Sequence, residues 1–183
     1  MASQRGRMLD AMAQVVAEKG YGATTVADVI ERAGVSRKTF YEHFRDKEAC
    51  FLAAFDTGVA IVLATLRDAD PGGSDPLERV RARVRTYLET LEAEPAFART
   101  FVIELGAAGP RALQRRHEVL GEFARSTREL AQELGFTGVP EEAYLASVGA
   151  TNELVAAALV EGRPLTALED AIVFVNAALL VSR

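Results

Sequence analysis

The sequence predicts an all-α protein, and three observations carry that prediction. Ala, Leu, Glu and Arg, all strong helix formers, dominate a chain of 183 residues that contains no Trp. No alternating β-branched or aromatic run lies between turn signals, as a strand would require. Finally, Pro76, Pro95, Pro110, Pro140 and Pro164 each open a stretch of helical period, where the missing N–H costs nothing. Pro71, within Asp70-Pro71-Gly72-Gly73-Ser74-Asp75, reads instead as loop. With 49% apolar and 26% charged residues, the chain is globular and long enough to bury a core.

Taken in order, Gln4 to Lys19 places Met8, Met12, Val15 and Val16 on one face and closes at Gly20. Thr25 and Asp28 form a variant capping box at the start of a short helix, Val26 to Ala33. Gly34 supplies a sharp turn, Val35 an apolar plug, and Ser36 a cap for Arg37 to Phe44, where Phe40 and Phe44 point inward at i and i+4. Asp46 caps a long helix. From Pro76, the positions Leu77, Val80, Val84, Tyr87, Leu88 and Leu91 keep a 3-4 rhythm; a short segment follows from Pro95 to Leu105. From Pro110 a narrower stripe runs to Gly135. Two helices remain, about 140–161 and 164–181, and both are apolar nearly all round. A helix without a polar face must be covered on every side, and a second copy of the chain is the natural cover. Leu159, Ile172, Val175 and Leu179 are the expected interface residues.

Two short helices joined by a Gly-containing turn form a helix-turn-helix, which places its second helix in the major groove of DNA. Arg37 and Lys38 stand at the N-terminal positions that reach base edges, and both can donate to guanine. Thr39 offers a methyl or a hydroxyl, and Tyr41, His43 and Lys47 suit phosphates; Thr25, at the head of the first motif helix, is a further DNA-binding candidate. The net charge of −5 argues against a polyanionic partner, but it is unevenly spread: residues 1–50 carry +1 and residues 51–183 carry −6.

The run Thr24-Thr25, then Ala33-Gly34-Val35-Ser36-Arg37-Lys38-Thr39-Phe40-Tyr41-Glu42-His43-Phe44-Arg45-Asp46-Lys47-Glu48, resembles the DNA-binding domain of the TetR family of regulators. Lys38 departs from the small residue, often glycine, usual there, and adds a charge at a base-facing position. The resemblance implies a helix-turn-helix domain over 1–46 and an effector-binding and dimerisation domain over 47–183. It further implies a homodimer on palindromic operator DNA, most members being repressors, with a four-helix interface built from the last two helices. An internal pocket for a small effector is also implied; Tyr87, Phe97, Phe101, Glu104, His117, Phe123, Tyr144 and Asn152 are its candidate lining, whose character points to an apolar or aromatic effector.

No nucleophile elbow, phosphate loop, dinucleotide fingerprint, zinc-protease motif or paired cysteine occurs, so neither enzymatic activity nor a cofactor or metal is expected. The alternative is a helical interaction or small-molecule-binding module without operator function, which leaves Arg37, Lys38, Tyr41 and Lys47 unexplained. Cys50 reads as a small core residue. Arg79, Arg81, Arg83 and Arg85 read as a solvated face. No signal peptide opens the sequence, and the most apolar stretch, 171–181, is too short for a bilayer; a cytoplasmic protein with no membrane partner is expected.

Overall fold

The computed structural model describes residues 3–69 and 75–181, the last three by backbone only. The loop expected around Pro71 lies outside them. Nine α-helices occur among the described residues, and no strand: α1 Gln4–Ala23, α2 Val26–Ala33, α3 Arg37–His43, α4 Lys47–Asp68, α5 Pro76–Ala93, α6 Pro95–Val102, α7 Pro110–Glu133, α8 Glu141–Glu161 and α9 Glu169–Val181. Short 3-10 turns occupy Glu104–Ala108 and Thr166–Leu168. The chain forms two compact units, Met1–Ala60 with Glu94–Arg115, and Ile61–Ala93 with Arg116–Arg183.

In the first unit, Ser3 caps α1 by accepting from the Gly6 N–H at 3.0 Å. Met8, Met12, Val15 and Val16 are buried, as their spacing required. Gly20, at φ 80°, breaks the helical backbone, and one further turn reaches Ala23. Helix α6 packs on α1, where the Thr100 hydroxyl donates to the Ala13 carbonyl at 2.7 Å. Ion pairs Arg111–Glu48 (3.1 Å) and Arg115–Asp56 (2.6 Å) fasten the start of α7 to α4. By compactness, α4 begins in the first unit, and residues 94–115 return to it.

In the second unit, α5 and α8 both pack on α9. Val80, Val84, Leu88 and Leu91 make the buried stripe of α5. The arginines alongside them are partly solvated but also bridge to other helices. Arg81 and Arg85 hold Glu169, Arg81 also reaches Asp170, Arg79 reaches Glu133 and Arg83 donates to Ser126. Each guanidinium is long enough to bridge to a neighbouring helix, which alternation along one helix does not reveal. These two arginines hold the Glu169 carboxyl down to about 2.

Asn176, the polar residue in the most apolar helix, is buried. It accepts from the Ser147 hydroxyl and donates to the Ile172 carbonyl, so α8 and α9 meet in one register. Pro164 does not open a helix: Leu165 and Leu168 turn inward, the Thr166 N–H donates to Glu92 at 3.2 Å, and α9 starts at Glu169. Pro140 precedes α8 with ψ 142° as its N-cap. By length and composition, α4 and α8 are apolar enough to cross a bilayer, which the short 171–181 stretch is not. In α4, however, Phe51, Phe55, Val59, Val62 and Leu66 are buried inside the fold.

Candidate nucleic-acid interface and effector cavity

The helix-turn-helix is set by local hydrogen bonds. Thr25 and Asp28 form a reciprocal box: the Thr25 N–H donates to the Asp28 carboxylate at 2.7 Å, and the Asp28 N–H to the Thr25 hydroxyl at 3.3 Å. Lys19, 2.6 Å from Asp28, is the main cause that holds this carboxyl well below the usual range, with the Thr25 bonds adding to it. Gly34 takes the left-handed conformation at φ 62°, and the Val35 N–H closes onto the Ile30 carbonyl at 3.1 Å. Ser36 then caps α3 by accepting from the Thr39 N–H at 3.0 Å. Arg7 donates to the Ala33 carbonyl at 3.0 Å and braces the end of α2 against α1.

Helix α3 sorts its side chains cleanly. Phe40 is fully buried and Phe44 nearly so, their rings 5.6 Å apart, so both are core rather than wedges for DNA. Arg37, Lys38, Tyr41 and His43 are exposed, and Thr39 is half-buried beside Ser36. Lys38 lies 3.9 Å from Glu42 with its side chain 87% exposed, a contact too open to hold it. Arg5, with its guanidinium 5.7 Å from the Phe44 ring, is a cation beside this surface that sequence reasoning passed over, since it reads only as a polar residue of α1.

Lys47 meets a different geometry from the phosphate contact expected of it. Its ammonium donates to the carbonyls of Tyr21 and Thr24, both at 2.8 Å, and lies 4.0 Å from the Tyr21 ring centroid. Burial lowers its pKa. Two of its three donors are thus engaged inside the fold. Thr25 likewise commits its hydroxyl to the capping box, donating to Asp28 at 2.6 Å.

The eight effector-pocket candidates divide between the two units. Phe97, Phe101 and Glu104 belong to the first unit, and the other five to the second. Phe101 is core, with ring centroids of Phe97, Phe51 and Phe55 at 4.7, 5.2 and 5.4 Å. Phe97 packs closely on α4 at Gly58, where an added Cβ would stand 1.6 Å from its ring. Glu104 accepts from the Tyr21 N–H at 3.1 Å. In the second unit His117 is exposed on α7, Asn152 is half-buried, and Tyr144 is buried beside Ala131, Phe136 and Val139. Tyr87 and Phe123 do meet, edge to face at 6.2 Å, and burial pushes the Tyr87 hydroxyl up to about 12.

A cavity of about 660 Å³ in the second unit is lined by none of the eight. Pro76, Leu77 and Val80 from α5, Leu130, Ala131 and Leu134 around the end of α7, and Ala177 of α9 make its wall almost wholly apolar. Sequence reasoning passed it over because most of its lining is small or aliphatic, Phe136 and Asp75 being the exceptions. Among the expected interface residues, Ile172 is buried within its own unit; Leu159 and Val175 are half-buried, and the side chain of Leu179 lies outside the described residues. Among the described residues, the large apolar side chains most exposed on α8 and α9 are Val160 at 70% and Phe174 at 75%, with Leu145 on α8 less so.

A capped helix pair that buries its aromatic face and presents cations and hydroxyls outward, joined to a further helical unit, defines a helix-turn-helix transcriptional regulator. Residues 8–54 match the family described as bacterial regulatory proteins, tetR family. The N-terminal part of the chain thus carries the DNA-binding domain of that family. It is 32% identical over 89 residues to the transcriptional activator FasR of Mycolicibacterium smegmatis, a match covering 49% of this chain and 41% of FasR. It is 29% identical over 142 residues to the repressor KstR2 of Mycobacterium tuberculosis, covering 78% of this chain and 69% of KstR2. The fold matches the fatty acid degradation regulator FadR of Bacillus halodurans with a TM-score of 0.87 at 23% identity, covering 100% and 99% of the two chains. It also matches FadR of Bacillus subtilis in complex with stearoyl-CoA, with a TM-score of 0.82 at 19% identity, covering 95% and 96%.

Proposed function

We propose that the protein is a ligand-responsive, cytoplasmic repressor that binds palindromic operator DNA as a homodimer. The outward face of α3 carries this reading: Arg37, Lys38, Tyr41 and His43 are exposed together while Phe40 and Phe44 anchor the helix from behind. Arg37 and Lys38 read base edges, Thr39, Tyr41 and His43 meet backbone or thymine, and Lys47 has its remaining donor for a phosphate. A second copy covers Val160 and Phe174, with Leu159 and Val175 at the same seam. Two recognition helices held about 34–36 Å apart then match one turn of DNA.

The effector in this reading has a long apolar chain. A 660 Å³ apolar cavity is of the size that small ligands occupy, and the Bacillus subtilis FadR neighbour holds stearoyl-CoA. An effector that favours the DNA-free state weakens operator binding by the factor that DNA weakens effector binding.

The test begins with a DNA fragment selected by the protein from a random library, followed by anisotropy titrations across salt. About three phosphate contacts per protomer give a log–log slope near −5. Phe174→Asp is expected to give monomers in sedimentation and to lose palindrome binding. Absence of any selected sequence refutes the reading.

A further inference from the structure

We infer that Glu104 is a positioning residue for the DNA-reading helices, acting through the turn that ends α1. Residues Gly20 to Thr24 join α1 to α2, so their geometry sets where the helix-turn-helix hangs. Gly20 interrupts the helical ladder, and the Tyr21 N–H that follows it donates to Glu104 at 3.1 Å. Any Cβ at Gly20 would stand 3.2 Å from the same carboxylate, and φ 80° disfavours a side chain there in any case. The other side of the turn is held by Lys47, which takes both the Tyr21 and Thr24 carbonyls. Thr24 is itself buried, with its hydroxyl on the Gly20 carbonyl at 2.8 Å. The Tyr21 ring lies between the Lys47 ammonium and Phe51, 4.7 Å away.

One residue near the start of α4 and one from the 3-10 turn 83 positions beyond Tyr21 therefore clamp the same five-residue turn. A carboxylate accepting a backbone N–H makes a charge-assisted bond, stronger than a neutral one. Helix α6 carries Glu104 into place, fixed by Thr100 on Ala13 and Phe97 on Gly58. Residues 94–115 continue by backbone into the second unit at both ends. The clamp is thus a point where a displacement of that segment reaches α2 and α3 through Glu104, beside the hold that Lys47 of α4 has on the same turn.

This inference rests on the operator-binding reading above, and the experiment separates the two. Glu104→Leu removes the acceptor, Glu104→Asp keeps the charge but falls one methylene short, and Glu104→Gln keeps both reach and an acceptor oxygen. Operator and unrelated-DNA affinities are measured for each on the full chain, with the active fraction fixed by stoichiometric titration. Amide hydrogen exchange at Tyr21 is followed in parallel. Loss of the bond is expected to weaken operator binding by about tenfold or more in Glu104→Leu, less in Glu104→Asp, and under about threefold in Glu104→Gln. Unrelated DNA at low salt is bound equally by all four proteins, and Tyr21 exchange quickens in step with operator loss. If Glu104→Leu does not fold, the order of the Asp and Gln variants decides. The inference is overturned if operator affinity is unchanged, if both DNAs are lost alike, or if only the active fraction falls. If the unaltered protein selects no DNA, the functional reading fails and this inference fails with it.

Discussion

The two compact units are held together in different ways. The first carries directional contacts to backbone, the caps at Ser3, Thr25 and Ser36 and the clamp on the Tyr21 turn, beside a chain of tilted ring contacts through Tyr21, Phe51, Phe101 and Phe97 and the Arg111–Glu48 and Arg115–Asp56 ion pairs. The second relies on apolar helices tied at the surface by long guanidinium–carboxylate bridges, with one buried polar pair among the described residues, Ser147 and Asn176. Backbone-directed bonds have fixed geometry and cost the fold directly when lost; exposed ion pairs gain little over water. The unit that must present side chains to a rigid partner is the one built with directional contacts.

Substitutions can break or sharpen that contrast. The largest effect is expected from Phe40→Ala, which empties a fully buried site behind α3; urea unfolding is expected to show a loss of about 3–5 kcal/mol, with operator binding abolished. Gly58→Ala forces a methyl into the Phe97 ring and is expected to cost about 1–3 kcal/mol, measured the same way. Thr25→Ala removes the capping box and is expected to cost about 0.5–2 kcal/mol, with faster amide exchange confined to the first turn of α2. The smallest effect belongs to the second unit, where Arg85→Ala leaves the thermal midpoint in high salt nearly unchanged. The Glu169 carboxyl, lowered from 4.5 to about 2, stabilises the fold above its unfolded value and ceases to do so as pH falls through about 2. An acid titration of wild type against Glu169→Gln is expected to diverge above pH 4.5 and converge below about 2.

The same difference decided what could be read from the amino-acid order. Caps, the Gly34 turn and the inward Phe40–Phe44 pair depend on residues within four positions of each other, so the helix-turn-helix was legible almost to the hydrogen bond. Cys50 was legible too, as a buried core residue. Contacts across long stretches of chain were not. Glu104 and Phe97 looked like pocket lining because their chemistry suits a ligand; their partners, Tyr21 and Gly58, lie 83 and 39 positions away. Ile172 has the apolar character of an interface residue, and only the packing of α9 within its own unit shows that it is covered. Phe174, two positions on, was passed over for the opposite reason: nothing in an all-apolar helix marks which side stays open.

Cys50, the single cysteine of the chain, has no exposed surface, and burial pushes its thiol up to about 12. In the native state it is therefore nearly inert to thiol reagents, because the reacting thiolate is scarce and enclosed. That makes it a built-in clock. The rate at which a chromogenic disulfide labels Cys50 reports how often the first unit opens, with no engineered probe and no signal from the second unit. Labelling in the presence and absence of DNA would then read how far an operator slows the opening of the unit that grips it.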